Sequence, residues 1–391
     1  MLNILIFASD AKALSSLNSV IQEASNQGNR VFAMVSQHSQ LSYPIQDKQN
    51  FKILCNVDRS KHLYSNSLGE WLPFTPDWVV VNRERWLPEN AIIREFKHDF
   101  GCKVALVEPN SQMLTHPENI LDALSRNKFQ DMIDVNFDHS TWIKKVREST
   151  GIQANLQVVG NPKYDINTTV DDSMLNDLKK IYQIDPNKKT VLLFSIISSA
   201  RENIKEVYKD MIMKHPDYQF FYKPYPGEPF GSKFEKDYHP HFFLPNCVPI
   251  LQETHIWGMF QLCDMHVGIL GSINHATLLY DKEYIDLSKE LGVRERYLDI
   301  SPIFTEGVGI EQDKSMWKRA LNLKNDSELR DIFTGDKMKL GKSHNEVVWA
   351  KLDSYIDDNS DKNKQDLLKL FDDYNDGKAS KRIVNYLKEN V

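Results

Sequence analysis

Between Thr190 and Asp286 the chain repeats one arrangement, in which a short apolar run stops abruptly at small, polar or cationic residues. Thr190-Val191-Leu192-Leu193-Phe194 ends in Ser195-Ile196-Ile197-Ser198-Ser199, Tyr218-Gln219-Phe220-Phe221-Tyr222 ends in Lys223, and Met265–Leu270 ends in Gly271-Ser272. Each run reads as a buried strand, with helical stretches between them. Polar groups therefore collect at the carboxyl ends of successive strands, where open α/β sheets bind their ligands. A small-residue turn opening a helix also offers free N–H groups and a positive dipole end to a phosphate. This half of the chain is expected to hold a nucleotide or another phosphorylated ligand.

The amino half opens on the same grammar. Strand Asn3–Ala8 is followed by a helix with Leu14, Leu17, Ile21 and Ala24 at helical spacing, Gly28 as its cap, and a second strand over Arg30–Val35. Further strands are expected at Phe51–Leu54, Trp78–Val81, Lys103–Val107 and Met132–Phe137, and helices around Glu89–Lys97, Pro117–Arg126 and Ser140–Glu148. After about Asn325 the pattern turns helical and highly charged. With 391 residues, too many for one ordinary core, the chain divides into an amino domain over 1–165, a second α/β domain over 166–325 and a helical tail over 326–391 that packs back across them.

Composition excludes several classes. A formal charge of −6 gives no broad basic field for nucleic acid. No apolar run approaches the roughly 20 residues of a membrane span, and Met1–Ala8 lacks the basic start of a signal peptide. A cytoplasmic protein is expected, with Cys55, Cys102, Cys247 and Cys263 as reduced thiols, no metal and no cofactor. Asp357–Asp366 has no Gly at the sixth position of a calcium loop, and Leu368 stands where the bidentate Glu belongs, so an EF-hand is rejected.

Three segments carry a resemblance. Val158-Val159-Gly160-Asn161-Pro162-Lys163-Tyr164-Asp165 resembles the Gly-Asn-Pro-Arg-x-Asp connection of bacterial GT-B transferases of surface-polysaccharide and teichoic-acid synthesis. Phe221-Tyr222-Lys223-Pro224-Tyr225-Pro226-Gly227-Glu228 resembles their Lys-Pro-His-Pro-Gly-Glu segment, and Leu262–Leu279 resembles their nucleotide-binding strand and helix. The order and spacing agree over the middle third of the chain. The resemblance implies the GT-B architecture, two Rossmann-like doubly wound domains facing a cleft, with the nucleotide donor on the carboxyl domain. Tyr225 departs from the family's His, and Asn274, His275 and Ala276 stand where the family offers a carboxylate. No acceptor motif of the His-Gly-Thr-Pro type occurs in the amino half; the comparable strand end reads Val107-Glu108-Pro109-Asn110-Ser111.

The candidate residues each carry a plainer alternative. Lys223 suits the growing charge of a diphosphate leaving group, against a surface lysine at a strand end. Ser195, Ser198 and Ser199 line a phosphate or cap the helix after them. The turn at Gly271 and the hydroxyl and N–H of Ser272 suit a phosphate oxygen, and Asn274 and His275 reach the ribose or sugar, one of them facing packing instead. His266 reads as a satisfied core histidine. From the resemblance, Tyr225 and Glu228 join the donor site, and the backbone of Val248 and Ile250 reads the base.

An inverting transfer needs a general base on the amino domain. Glu108 is preferred, against a capping or salt-bridged glutamate, with Asp10 and His116 behind it. Asp138-His139 reads as a helix cap. Trp71, Trp78 and Trp86 serve the core and interface or stack a sugar or base, and Arg83 and Arg85 between the last two could hold an acceptor phosphate.

The resulting expectation is a metal-independent glycosyltransferase moving a sugar from a nucleotide-sugar donor to a glycan or polymer acceptor. Its base, sugar and oligomeric state stay open. A non-hydrolysing sugar-nucleotide 2-epimerase, a transferase acting on modified DNA, which the charge of −6 does not favour, and a silent nucleotide- or glycan-binding subunit remain alternatives.

Overall fold

The computed structural model describes residues 1–8, 11–36, 51–54, 72–82, 87–108, 130–149, 151, 154–167, 170–195, 201–224, 244–251, 256–269, 272–292, 294, 318, 324–328, 331 and 336–391. The chain forms two compact units. The first comprises Met1–Ile166, Ile300–Tyr355 and Ser360–Val391; the second comprises Asn167–Asp299 and Ile356–Asn359.

The first unit is built on seven parallel strands: β1 Asn3–Ala8, β2 Arg30–Ser36, β3 Phe51–Leu54, β4 Trp78–Val81, β5 Lys103–Val107, β6 Val135–Asp138 and β7 Leu156–Val158, in the order β3-β2-β1-β4-β5-β6-β7. Strand β1 shows why the sheet is buried on both faces. Ile4, Ile6 and Ala8 join one core with Leu14, Leu17, Val20, Ile21 and Ala24 of helix α1 (Ala11–Asn26). Leu5 and Phe7 join another with Ile92, Ile93 and Phe96 of helix α2 (Leu87–Asp99). Alternate residues point to opposite faces, so a strand packed on both sides must be apolar throughout. Gly28, at φ 73°, occupies the left-handed position that ends α1.

Strand β6 begins later than the sequence pattern suggests. Gln130–Met132 forms a 3₁₀ turn, and Asp134 uses its carboxylate to receive the Val104 N–H at 2.7 Å and the Lys97 ammonium at 2.6 Å. Helix α3 (Thr141–Ser149) follows, with Ser140 Oγ accepting the Ile143 N–H at 3.2 Å.

The second unit repeats the same winding with five parallel strands: β8 Thr190–Phe194, β9 Gln219–Lys223, β10 Cys247–Pro249, β11 Met265–Gly268 and β12 Glu283–Asp286, in the order β10-β9-β8-β11-β12. Among the described residues four helices belong to the connections: α5 Asp172–Ile181 after the short α4 Lys163–Asn167, then α6 Arg201–Lys214, α7 Ile256–Leu262 and α8 Ser272–Leu279. Helices α5 and α7 meet at Gly258, where an added Cβ would stand 2.3 Å from Leu178 Cδ1.

Helices α9 (Asp336–Asp357), α10 (Asp361–Phe371) and α11 (Ala379–Glu389) complete the chain. Ile383, Val384 and Leu387 of α11 enter the first core, and the indole of Trp78 donates to the Leu387 carbonyl at 3.1 Å. Cys102, Cys247 and Cys263 are buried free thiols; burial pushes Cys102 up to about 11 and Cys247 to about 12. Among the described residues no helix is long and apolar enough to cross a membrane. Nor is any group of three or more His, Cys, Asp or Glu residues among them placed to hold a metal ion.

Candidate functional site

The carboxyl edge of the second sheet gathers polar groups around its switch point. The chain leaves β8 toward β9 and β11 toward β12, in opposite directions, so the ends of β8 and β11 flank the crevice where such sheets take ligands. Tyr208, carried up by α6, lies under that point. Its hydroxyl contacts the Phe194 carbonyl at 2.8 Å and the Val267 carbonyl at 3.2 Å, tying the two strand ends together. Burial raises this hydroxyl well above its ordinary 10, so it stays a donor.

Ser195 and Lys223 are brought side by side. Phe194 pairs with Lys223 in the β8–β9 register, and the Ser195 N–H donates to the Lys223 carbonyl at 3.0 Å. The Lys223 ammonium reaches over the edge to the Leu251 carbonyl at 3.2 Å. Helix α8 opens directly after β11 on the other side of β8. Strands lie about 4.8 Å apart, so Lys223's strand and the helix beyond β11 are about 10 Å apart. Val248 pairs with Phe221, while Ile250 donates its N–H to the Tyr222 carbonyl at 2.8 Å. That N–H belongs to the sheet, which leaves the Ile250 carbonyl as this residue's group for reading a base.

A further charged group at this edge carries no signature in the sequence. Asp286, at the end of β12, accepts from Arg294 Nη2 at 3.1 Å and from the Ser288 hydroxyl, and Arg294 Nε donates to Ser288 Oγ at 3.0 Å. The residues stand in the irregular stretch after the strand, where no periodicity marks a partner.

His275 takes one of the two alternatives that the sequence leaves open for it and Asn274. It is fully buried, so its ring lies in packing and not on a solvent-facing ligand surface. His266 is a core histidine held at both nitrogens. Its Nε2 faces the Phe260 carbonyl at 3.1 Å, which can only accept, so Nδ1 receives the Thr277 hydroxyl at 2.9 Å. Burial pushes it down to about 3 from its ordinary 6.5. His139 is also pushed down by burial, against the opposing pull of Glu108.

These shifts set a pH dependence. Below pH 6.5 the unfolded chain protonates both imidazoles while the folded protein does not. The unfolded state then binds more protons, and stability falls as pH drops. Urea denaturation is expected to show a loss of roughly 1.4 kcal/mol per pH unit from His266 below about pH 6, with His139 adding in the same direction. His266→Gln should flatten that slope; an unchanged slope would count against a neutral buried His266.

The carboxyl edge of the first sheet overturns the leading candidate for the base. Glu108 is buried, and its carboxylate is ion-paired to Arg147 Nη2; Arg147 Nη1 contacts Asp138 Oδ1 at 2.8 Å, an ionic contact without good hydrogen-bond alignment. A carboxylate held by a buried guanidinium is closed to an acceptor hydroxyl, so the salt-bridged reading of Glu108 is the one the geometry supports. Asp138 and His139 are not the cap either. Ser140 caps α3, Asp138 meets Arg147, and His139 Nε2 donates to the Glu108 carbonyl at 2.8 Å. Arg147 was legible only indirectly: it shares the buried face of α3 with Ile143 and Val146.

Asp10, His116, Ser198, Ser199, Tyr225, Glu228 and Gly271 lie outside the described residues, as do Trp71, Arg83, Arg85 and Trp86. Ser272 and Asn274 lie in α8, with side chains outside the description. Trp78 is 1% exposed and belongs to the core.

No protein-family model and no curated protein matches the chain. Solved structures do. The chain is similar to S. aureus MnaA, solved with UDP, at 13% identity and TM-score 0.56, covering 99% of this chain and 96% of that one. The UDP-GlcNAc 2-epimerase from Neisseria meningitidis, bound to UDP-GlcNAc, aligns at 14% identity and TM-score 0.56 over 99% of this chain and all of its own. The wall teichoic acid polymerase TagF aligns at 11% identity and TM-score 0.51 over 99% and 88%. With two doubly wound parallel sheets and helices closing the chain, the protein has the GT-B fold.

Proposed function

We propose that the protein is a sugar-nucleotide enzyme that transfers a sugar from a nucleotide donor to a glycan or polymer acceptor. The observation that carries the reading is the pairing of Ser195 and Lys223 at the second sheet's switch point, with α8 opening beside it. Lys223 would exchange the Leu251 carbonyl for a donor phosphate and offset the charge that grows on the diphosphate as the glycosidic bond breaks. The N-terminal end of α8 would take a second phosphate oxygen. With Glu108 committed to Arg147, the acceptor's base falls to Asp10 or His116.

Epimerisation at C2 of the sugar is the second reading. It is favoured by the resemblance to the epimerase solved with UDP-GlcNAc.

The test is a thermal-shift series with UDP-, CDP-, GDP- and ADP-linked sugars on the wild type and Lys223→Ala. A ligand at about a hundred times its Kd stabilises a folded state by about 2.7 kcal/mol. That shift is expected for one nucleotide class and is expected to vanish in Lys223→Ala. No response to any nucleotide sinks the proposal. For the nucleotide that binds, incubation in D2O separates the two chemistries. Epimerisation removes and returns the C2 proton and so introduces deuterium there, whereas transfer leaves C2 unlabelled and consumes an acceptor.

A further inference from the structure

One buried side chain joins three strands of the second sheet at their carboxyl ends. Tyr208 lies in α6 and is fully inaccessible. The β8–β11 ladder pairs Met265 with Val191 and Val267 with Leu193 and stops there, so Phe194 stands one residue past the last pair. Past this point the Ser195 N–H is bonded outward to β9, and the Gly268 carbonyl is bonded outward to Leu287, just past β12, at 2.8 Å. Each ladder continues on its outer side, and a gap opens between the two strands. The Tyr208 hydroxyl sits in that gap, 2.8 Å from the Phe194 carbonyl and 3.2 Å from the Val267 carbonyl. A phenol has one proton to donate, so the two carbonyls share it.

The ring completes the arrangement. It meets the Tyr222 ring of β9 edge-on, with centroids 6.4 Å apart, and Tyr222 precedes Lys223. One side chain thus rests on the residue before Ser195, on the residue before Lys223, and on the last β11 residue paired with β8. Strand β11 in turn leads into α8. Helix α6 itself begins at Arg201, about 10 Å before Tyr208 along its axis. A core tyrosine needs a single acceptor for its proton. This one is set on two, from strands that diverge, and therefore holds the distance between them.

We propose that Tyr208 is a positioning residue: it fixes the gap between the ends of β8 and β11, and with it the places from which Ser195, Lys223 and the start of α8 meet a nucleoside diphosphate. Tyr208 lies beneath the sheet edge, out of a ligand's reach, and acts through the strands that it joins. The nucleotide as occupant rests on the sugar-nucleotide reading; the bridge between the parting strands does not. Groups already held in place bind more tightly than groups that must be ordered when the ligand arrives. Loss of the hydroxyl would therefore loosen the edge while the core beneath it persists. Tyr208→Phe makes that separation, because it keeps the ring among Ile204, Ile212, Phe220 and Tyr222 and removes one oxygen.

The experiment measures dissociation constants by calorimetry for UDP-, CDP-, GDP- and ADP-linked sugars on the full chain, as wild type, Tyr208→Phe and Thr190→Val. Thr190 begins the same β8 at the opposite edge of the sheet, and its buried hydroxyl donates to the Asp264 carboxylate at 2.8 Å. Each variant thus removes a buried hydroxyl from one end of one strand. The nucleotide that binds the wild type is expected to weaken about tenfold in Tyr208→Phe and to keep its affinity in Thr190→Val. Without ligand, amide exchange should quicken at Ser195 and Leu287 in the first variant and not in the second. A role in stability alone would act alike in both. Should Tyr208→Phe fold only in part, sucrose raises the folded fraction, and the affinity is read on it. An unchanged affinity in Tyr208→Phe, or equal losses in the two variants, overturns the positioning role and leaves the proposed function standing. If no nucleotide binds the wild type, that function falls and the positioning role falls with it.

Discussion

Arg147→Ala is expected to lose about 3–5 kcal/mol of folding stability, because it strands buried carboxylates without their cation. Arg147 is fully buried on the inner face of α3, and both Glu108 and Asp138 are nearly or wholly inaccessible. Removing the guanidinium leaves two like charges that water cannot reach. The loss reflects that stranding and not the net worth of the ion pair, and the two can be separated. Arg147→Met combined with Glu108→Gln and Asp138→Asn removes the charges of these three residues together and should recover more than half of the single-variant loss. Urea denaturation at neutral pH measures both. A single variant within about 0.5 kcal/mol of wild type, the range of ordinary surface substitutions, would show that the group is open to solvent. Glu108 would then return as a candidate base.

That group also shows which parts of the site the sequence could reveal. A strand buried on both faces must be a short apolar run, so Thr190–Phe194, Asn3–Ala8 and Lys103–Val107 could be read directly. The residues just beyond such runs stand at the carboxyl edge by construction, which is why Ser195, Lys223 and Glu108 were singled out. Which partner each of them meets cannot be read the same way. Glu108 meets its cation 39 residues further on, across a sheet and a helix, and a lone arginine on a charged helix gives no local sign of the pairing. The choice between Asn274 and His275 stays open in the sequence for a related reason. The first turn of a helix following a strand has one face toward the edge and one toward packing, and periodicity over eight residues with a mostly apolar composition does not separate them.

Asp372→Ala is expected to lose about 2–4 kcal/mol, since three N–H groups converge on its carboxylate and each unpaired buried donor costs about 1–3 kcal/mol. Oδ2 accepts from Asn161 at 2.8 Å, and Oδ1 accepts from Tyr374 at 2.8 Å and Asn375 at 3.0 Å. Asn161 lies in the Gly-Asn-Pro-Lys-Tyr-Asp segment, whose other residues perform the same task. Gly160 has φ 89°, and a Cβ there would stand 3.0 Å from the Asp372 carboxylate. Asp165 supplies from a distance the cap that α11 lacks at Lys378, accepting from Ala379 at 3.2 Å and Ser380 at 2.5 Å. Val159 takes Arg382 Nη1 on its carbonyl at 3.1 Å. Asp165→Ala should therefore cost about 1 kcal/mol, the usual worth of a helix cap, and hydrogen exchange should quicken first in Ala379–Glu389. If both variants match wild type in stability and exchange, the clasp is not what holds α11. If they behave as expected, the segment that most resembles a transferase signature fastens the carboxyl-terminal helix to the first sheet. Nucleotide affinity, measured below the melting transition, should then survive Asp372→Ala and not survive Lys223→Ala. A motif doing this work is evidence for the fold, and the substrate must be argued from the carboxyl edge of the second sheet, at Lys223 and Ser195.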